Sequence, residues 1–179
     1  MRVLIDACVL FPTVMREIIL GVADQGLFEP RWSDRILEEW ARGTIKLGNG
    51  AEVIARGEIA ALSLRFPRAI VPAAPHIEQR LWLPDENDIH VLASAVAGSC
   101  DAILTVNMKD FPKQYLAEEG VDRLDPDGFL YGLWLDHPEQ VETAANAVLT
   151  EARRLSDGEW TMRNLLKKAR LPRLGKALG

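Results

Sequence analysis

The amino-acid sequence predicts an α/β fold with a largely parallel, doubly wound sheet. Short apolar runs alternate with longer stretches whose apolar residues recur at helical spacing. The short runs carry few polar residues on either face, as do strands that are covered on both sides. Hydrophobic residues make up 48% of the 179 residues and charged residues 26%, which is ample for one core and typical of a soluble globular chain.

Capping and turn residues divide the first half of the chain into five elements. Thr13 precedes the first helix, and Ser33 or Asp34 precedes the second. These residue types accept backbone hydrogen bonds at helix N-termini. Gly and Pro residues near positions 48 and 67 are typical helix ends. The expected elements are a strand over residues 2–6, helices over 14–24, from Ser33 or Asp34 to Leu47 and over 51–65 (with apolar positions Ile54, Ile59, Leu62 and Leu64), and a strand over 69–71.

The second half continues the alternation of strands and helices. Gly98-Ser99 ends one helix, and Pro126 occupies a position that is favoured in a first helical turn. Residues 76–83 are ambiguous, and the tail from residue 171 is expected to be loose. The expected elements are a helix over 88–97, a strand over 102–105, a helix over 113–119, an edge strand over 121–124, and helices over 128–135, 138–155 and 159–169.

Acidic residues lie at the edges of four apolar segments, where a side chain can face a cleft. Because ligands of parallel sheets bind at the carboxyl ends of the strands, we expect these acids to meet at one edge. Crowded carboxylates need shared protons or a divalent cation, and oxygen ligands favour Mg²⁺ or Mn²⁺. The residues of these segments are Asp6, Glu38, Glu39, Asp85, Asp88, Asn107 and Asp110.

Each acid also has an interpretation that requires no metal. Asp88 could be only a helix N-cap, and Asp110 could be a turn residue. Glu38 and Glu39 could form the solvated face of a helix. Asp6 is the hardest to explain in this way, because a carboxylate directly after a buried strand costs free energy without a partner. The convergence of four acidic segments on one edge favours a shared metal site.

Four segments resemble the PIN-domain family, and in particular its VapC-like toxin ribonucleases. The resemblance implies a PIN-like three-layer α/β/α fold with a mainly parallel four- to five-stranded sheet. Residues 1–135 would form this nuclease domain, and residues 136–179 would add a helical C-terminal extension with a basic tail. The segments are Leu4-Ile5-Asp6-Ala7, Trp32-Ser33 with Ile36-Leu37-Glu38-Glu39, Asp85-Glu86-Asn87-Asp88-Ile89-His90-Val91-Leu92-Ala93-Ser94-Ala95, and Ile103-Leu104-Thr105-Val106-Asn107-Met108-Lys109-Asp110-Phe111.

The resemblance implies an endoribonuclease that depends on Mg²⁺ or Mn²⁺. It assigns catalysis and metal binding to Asp6, Glu39, Asp88 and Asp110. The residues expected to support them are Asn107, Thr105, Asp85 and, as the runner-up to Glu39, Glu38. A divalent cation lowers the pKa of water without a histidine base. We therefore expect His76, His90 and His137 to be structural or on the surface.

The formal net charge of −5 provides no global basic field for RNA. Basic residues should therefore flank the acidic site. The expected RNA-binding residues are Arg35, Arg42, Lys109 and Lys113. A basic excess in residues 151–179 is a further candidate for phosphate contact, with a solvated helix and disordered tail as the alternative.

The expected partners are RNA, a cognate antitoxin and a second copy of the chain in a homodimer. The antitoxin is implied by the resemblance, since toxins of this type are usually made beside one. Cys8 and Cys100 are interpreted as buried free thiols of a cytoplasmic protein without a membrane span. The alternative functions are a non-catalytic RNA- or protein-binding module, and a phosphatase or DNA nuclease that uses the same acids.

Overall fold

The computed structural model describes all 179 residues, and its sheet consists of four parallel strands. The strands lie in the order β2-β1-β3-β4. In the central strand β1, Val3, Leu4 and Ile5 are fully buried, which explains their uninterrupted apolar sequence. The predicted α/β class is confirmed. The strands are β1 (Arg2–Ile5), β2 (Glu29–Arg31), β3 (Ala102–Leu104) and β4 (Asp122–Leu124).

Eleven α-helices and two 3₁₀ segments complete the fold. No helix is both long enough and apolar enough to span a membrane. The 3₁₀ segments are Thr44–Leu47 and Glu86–Asp88. The α-helices are α1 (Ala7–Leu10), α2 (Thr13–Asp24), α3 (Asp34–Gly43), α4 (Ala51–Arg65), α5 (Pro75–Glu78), α6 (Ile89–Ala97), α7 (Lys113–Glu118), α8 (Pro126–Asp136), α9 (Pro138–Leu155), α10 (Met162–Lys168) and α11 (Pro172–Leu178).

The chain forms two compact units. The first comprises residues 1–11 and 29–124 and contains the sheet, α1 and helices α3 to α7. The second comprises residues 12–28 and 125–179 and contains α2 and helices α8 to α11. The grouping of residues 12–28 with the C-terminal helices brings together segments that are distant in sequence, so no local pattern indicates it.

The edge strand β2 was not predicted, and the strand predicted over residues 69–71 was wrong. Pro30 lies at the centre of β2 and lacks the N–H of a ladder residue, so proline in a strand is confined to edges such as this one. Residues 69–71 form only an isolated bridge between Ile70 and Trp32. There, the Trp32 amide donates to the Ala69 carbonyl at 3.0 Å and the Val71 amide to the Trp32 carbonyl at 2.8 Å.

Helix α4 has the predicted bounds but not the predicted buried face. Leu62 is buried with Ala55, whereas Ile54 is 65% exposed and Leu64 is 85% exposed. Buried positions seven residues apart on α4 leave only a narrow contact stripe. Apolar residues in the sequence of this helix therefore do not all mark the core.

The carboxyl ends of β1 and β3 are aligned by the strand register. Ile5 pairs with Leu104, and the amide of Asp6 donates to the Leu104 carbonyl at 3.1 Å. Asp6 and Thr105 therefore follow adjacent positions of two parallel strands. This register brings two residues that are 99 positions apart to the same edge of the sheet, as the parallel arrangement predicts.

The tail that was expected to be loose instead forms helix α11. Its N-terminus is held by Asp127, whose carboxylate accepts from the amide of Arg173 at 2.9 Å and from that of Leu174 at 3.0 Å. Leu171 and Leu174 are fully buried. Because the cap lies 46 residues earlier in the chain, the local sequence of the tail could not reveal it.

We predict that Asp127→Ala lowers the free energy of unfolding by about 1–3 kcal/mol, because two backbone N–H groups lose their acceptor. Urea denaturation measures the effect. Asp157→Ala is the matched control, since Asp157 is exposed and makes no side-chain contact of this kind; its change should stay within about 0.5 kcal/mol. Equal stability of Asp127→Ala and the wild type would show that the carboxylate does not hold α11.

Candidate metal centre

Three carboxylates form a compact group in the first unit. Each of Asp85, Asp88 and Asp110 offers one oxygen, and these oxygens all lie within 4.8 Å of one another. Asp85 caps the 3₁₀ segment through its contact with the Asn87 amide at 2.9 Å. Asp88 ends that segment immediately before α6, and Asp110 lies in the loop between β3 and α7. All three are half-buried.

Asn107 connects two members of this group. Its side-chain amide donates to Asp88 Oδ2 at 3.4 Å, and its Oδ1 accepts from the Asp110 amide at 3.4 Å. The Asn107 backbone amide donates to Thr105 Oγ1 at 3.0 Å. Asn107 and Thr105 thus fix the loop after β3 and orient the acids on either side of it.

Asp6 lies beside this group and is only 6% exposed. Its Oδ1 accepts from the Ala7 amide at 2.7 Å, and its Oδ2 accepts from the Thr105 hydroxyl at 2.7 Å. The Cys8 sulfur is 3.2 Å from Oδ2. Burial, and next the charge of Asp6, raise the pKa of the Cys8 thiol to about 12. Cys8 therefore stays a thiol near neutral pH and can donate to the carboxylate.

The adjacent residues Glu38 and Glu39 have different environments. Glu38 forms ion pairs at 2.8 Å with both Arg42 and Arg56. Hydrogen bonds from Arg56 and Arg42 lower the pKa of Glu38 to about 2. Glu39 instead lies 2.7 Å from His90 Nε2 and 3.6 Å from Arg35. Two guanidinium groups already pair with the Glu38 carboxylate. Glu39 is therefore the better candidate for a metal ligand.

The pKa of Asp88 is affected by four other carboxylates. Burial, and next the charges of four other acids, together raise it to about 6. In order of effect, these acids are Asp6, Asp85, Asp110 and Glu39. The charges of Asp6 and Glu39 therefore act on this group, but only Asp85, Asp88 and Asp110 bring oxygens within 4.8 Å of one another. Such a set of hard oxygen donors fits Mg²⁺ or Mn²⁺.

Sequence reasoning assigned Asp85 only a supporting role and gave His90 no role at the site. The structure places Asp85 in the compact carboxylate group and His90 against Glu39. The sequence did contain a signal for Asp85. An aspartate often accepts a hydrogen bond from the backbone amide two residues later, and the turn that this forms holds the carboxylate in place. No local signal links His90 to Glu39, since they lie on different helices.

The four basic residues expected to contact RNA fall into two pairs. Arg35 and Arg42 both form i,i+4 ion pairs within α3, with Glu39 and Glu38 respectively. Lys109 and Lys113 are exposed on either side of Asp110. The lysines are therefore freer than the arginines to contact a phosphate.

Comparisons with known proteins give one result. A family model described as PIN domain matches residues 2–109. Searches of curated proteins and of solved structures return no match. The matched range contains Asp6, Glu39 and Asp88, and it ends one residue before Asp110.

We predict that Asp88→Asn stabilises the metal-free protein at pH 7.5. The pKa of Asp88 rises from about 4 in the unfolded chain to about 6 in the folded one, so ionisation costs folding free energy. This cost develops as the pH rises through that interval and is complete above about pH 6. After screening of a half-exposed group, removing it should add about 1–2 kcal/mol.

Urea denaturation in EDTA at pH 7.5 and pH 4.5 tests this, and the advantage of the variant should shrink at the lower pH. Asp122→Asn, an exposed residue of β4, is the control and should show no such pH dependence. A wild-type protein that is as stable as Asp88→Asn at pH 7.5 would contradict the crowding of charge at Asp88.

Proposed function

Because the chain belongs to the PIN-domain family, we propose that it is an endoribonuclease that requires Mg²⁺ or Mn²⁺. Members of the family are generally nucleases. The single observation that supports this proposal is the group of Asp85, Asp88 and Asp110, whose carboxylate oxygens lie within 4.8 Å of one another. An acidic cluster of this kind costs stability unless a cation or protons neutralise it.

The carboxylate donor set fits a divalent cation, which when bound supplies positive charge that lowers the pKa of water and stabilises charge on the scissile phosphate. Asp88, Asp110, Asp6 and Glu39 would hold it. Asp85, at the start of the 3₁₀ segment before α6, would add a further carboxylate. Asn107 and Thr105 would keep these carboxylates oriented. Lys109 and Lys113 would attract the RNA backbone to an otherwise acidic surface.

We further propose that the protein is the toxin of a type II toxin–antitoxin pair and acts in the cytoplasm as a homodimer. The resemblance of four segments of this chain to VapC-like toxins supports this role. An antitoxin peptide with an arginine near the acids would compete for the same charges as the cation. A short upstream reading frame that overlaps this gene would add support.

We predict that Asp6→Asn, Asp88→Asn and Glu39→Gln each reduce RNA cleavage in Mg²⁺ by at least about 100-fold, because several kcal/mol of charge stabilisation is lost. Cleavage of a labelled single-stranded RNA measures the rates, and EDTA should abolish the wild-type activity. Glu38→Gln is the matched control, since Glu38 is adjacent to Glu39 but bound to Arg42 and Arg56.

Equal activity in the wild type and the Asp88→Asn variant would contradict the assignment of the site. Wild-type protein that binds RNA without cleaving it would favour a non-catalytic binding module. Cleavage of DNA or of phosphate monoesters in place of RNA would identify a different hydrolase that uses the same acids.

We predict that induction of the wild-type gene arrests bacterial growth and that induction of Asp88→Asn does not, because arrest requires RNA cleavage. The measurement is growth after induction, with protein levels matched by immunoblot. If a short reading frame overlaps this gene upstream, its co-expression should restore growth. Growth at the normal rate with active, cleaving enzyme would contradict the toxin role but leave the ribonuclease proposal intact.

A further inference from the structure

His90 has a buried imidazole with one close polar neighbour. It lies in the first turn of α6 and is 3% exposed. Its Nε2 is 2.7 Å from Glu39 Oε1 on α3. Neither ring nitrogen has a hydrogen-bond partner, and Glu39 Oε1 is the polar atom within hydrogen-bond distance of Nε2.

The short distance determines which nitrogen carries the proton. An imidazole has at least one N–H, and a lone pair on Nε2 would repel the Glu39 oxygen at 2.7 Å. The N–H therefore lies on Nε2, and a small shift of the exposed Glu39 side chain would bring Oε1 into line with it. A buried N–H without a partner is costly, so the contact holds the imidazole and the carboxylate together.

The contact restrains a side chain that otherwise has freedom to move. The Glu39 side chain is 41% exposed, and its other basic neighbour, Arg35, is 53% exposed at 3.6 Å. His90 is fixed by the buried core of α6, whose N-terminus directly follows Asp88. The same helix thereby sets the position of Asp88 and the direction of Glu39.

We propose that His90 is a positioning residue that holds the Glu39 carboxylate toward Asp88 by donating its Nε2–H to Oε1. This inference rests on the proposed metal-dependent function. His90 would act through Glu39 and would not touch the cation or the RNA. Groups that orient a metal ligand in this way commonly affect metal affinity as strongly as activity.

Calorimetric titration with Mn²⁺ tests the proposal without an activity assay. His90→Leu should weaken Mn²⁺ binding by about 10-fold or more. His90→Gln should restore most of the affinity, because the glutamine amide nitrogen reaches the place of Nε2, whereas His90→Asn places its nitrogen near Nδ1 and should not. Ser94→Ala is the matched control, since Ser94 is buried one turn later on α6 and bonds only the His90 carbonyl.

The dependence on Glu39 separates positioning from a general effect on folding. In a Glu39→Gln background, His90→Leu should cause no further loss of Mn²⁺ affinity. Wild-type affinity in the folded His90→Leu variant would overturn the proposal. So would the same loss in both backgrounds, because His90 would then act independently of Glu39.

A second measurement tests the contact in the absence of metal. In ¹⁵N NMR of the imidazole, His90 should show a protonated Nε2 whose resonance shifts on Glu39→Gln. An Nδ1–H tautomer, or a spectrum that Glu39→Gln leaves unchanged, would overturn the proposal. A wild-type protein that binds no Mn²⁺ but shows the expected NMR shift would contradict the metal-dependent function and leave the His90–Glu39 contact established.

Discussion

The mutual repulsion of carboxylates around Asp88 is the constraint on which the account of this protein depends. Burial and four neighbouring acids raise the pKa of Asp88 to about 6. A chain gains no stability from such crowding, and folded proteins usually pair or neutralise acids in this situation. The aspartates are nevertheless held in place by a hydroxyl, an amide and backbone caps, none of which carries a compensating positive charge, whereas Glu39 has Arg35 at 3.6 Å. A divalent cation supplies that charge and gives the arrangement a chemical use.

The fold provides this arrangement through the ends of its secondary-structure elements. The register of β1 with β3 brings Asp6 to Thr105 at the carboxyl edge of the sheet. The 3₁₀ segment before α6 presents Asp88, and the loop after β3 presents Asp110 beside it. Residues at element ends keep fixed backbones while their side chains stay open to a ligand, so a rigid sheet can position a charged cluster that would disrupt its interior.

Much of this could be predicted from the sequence, and the failures have physical causes. Strands β1 and β3 are buried on both faces, so their sequences are continuously apolar and could be predicted. The acidic residues that follow them indicate the edge of the sheet at which the site lies. The edge strand β2 contains Pro30 and lacks that pattern. Helix α11 depends on a cap from Asp127, far away in the sequence. The difference between Glu38 and Glu39, and the contact of Glu39 with His90, arise from packing between helices. Pairings between residues on different helices leave no pattern in the local sequence.

The most direct measurement of the central claim is a ¹³C NMR titration of the aspartate carboxyl groups, followed with and without Mg²⁺. The account predicts that Asp88 titrates near pH 6 in metal-free protein, in agreement with its raised pKa of about 6, and that Mg²⁺ lowers this pKa sharply because the cation stabilises the ionised form. An Asp88 pKa near the ordinary value of about 4, unchanged by Mg²⁺, would contradict both the crowding of charge and its relief by a cation.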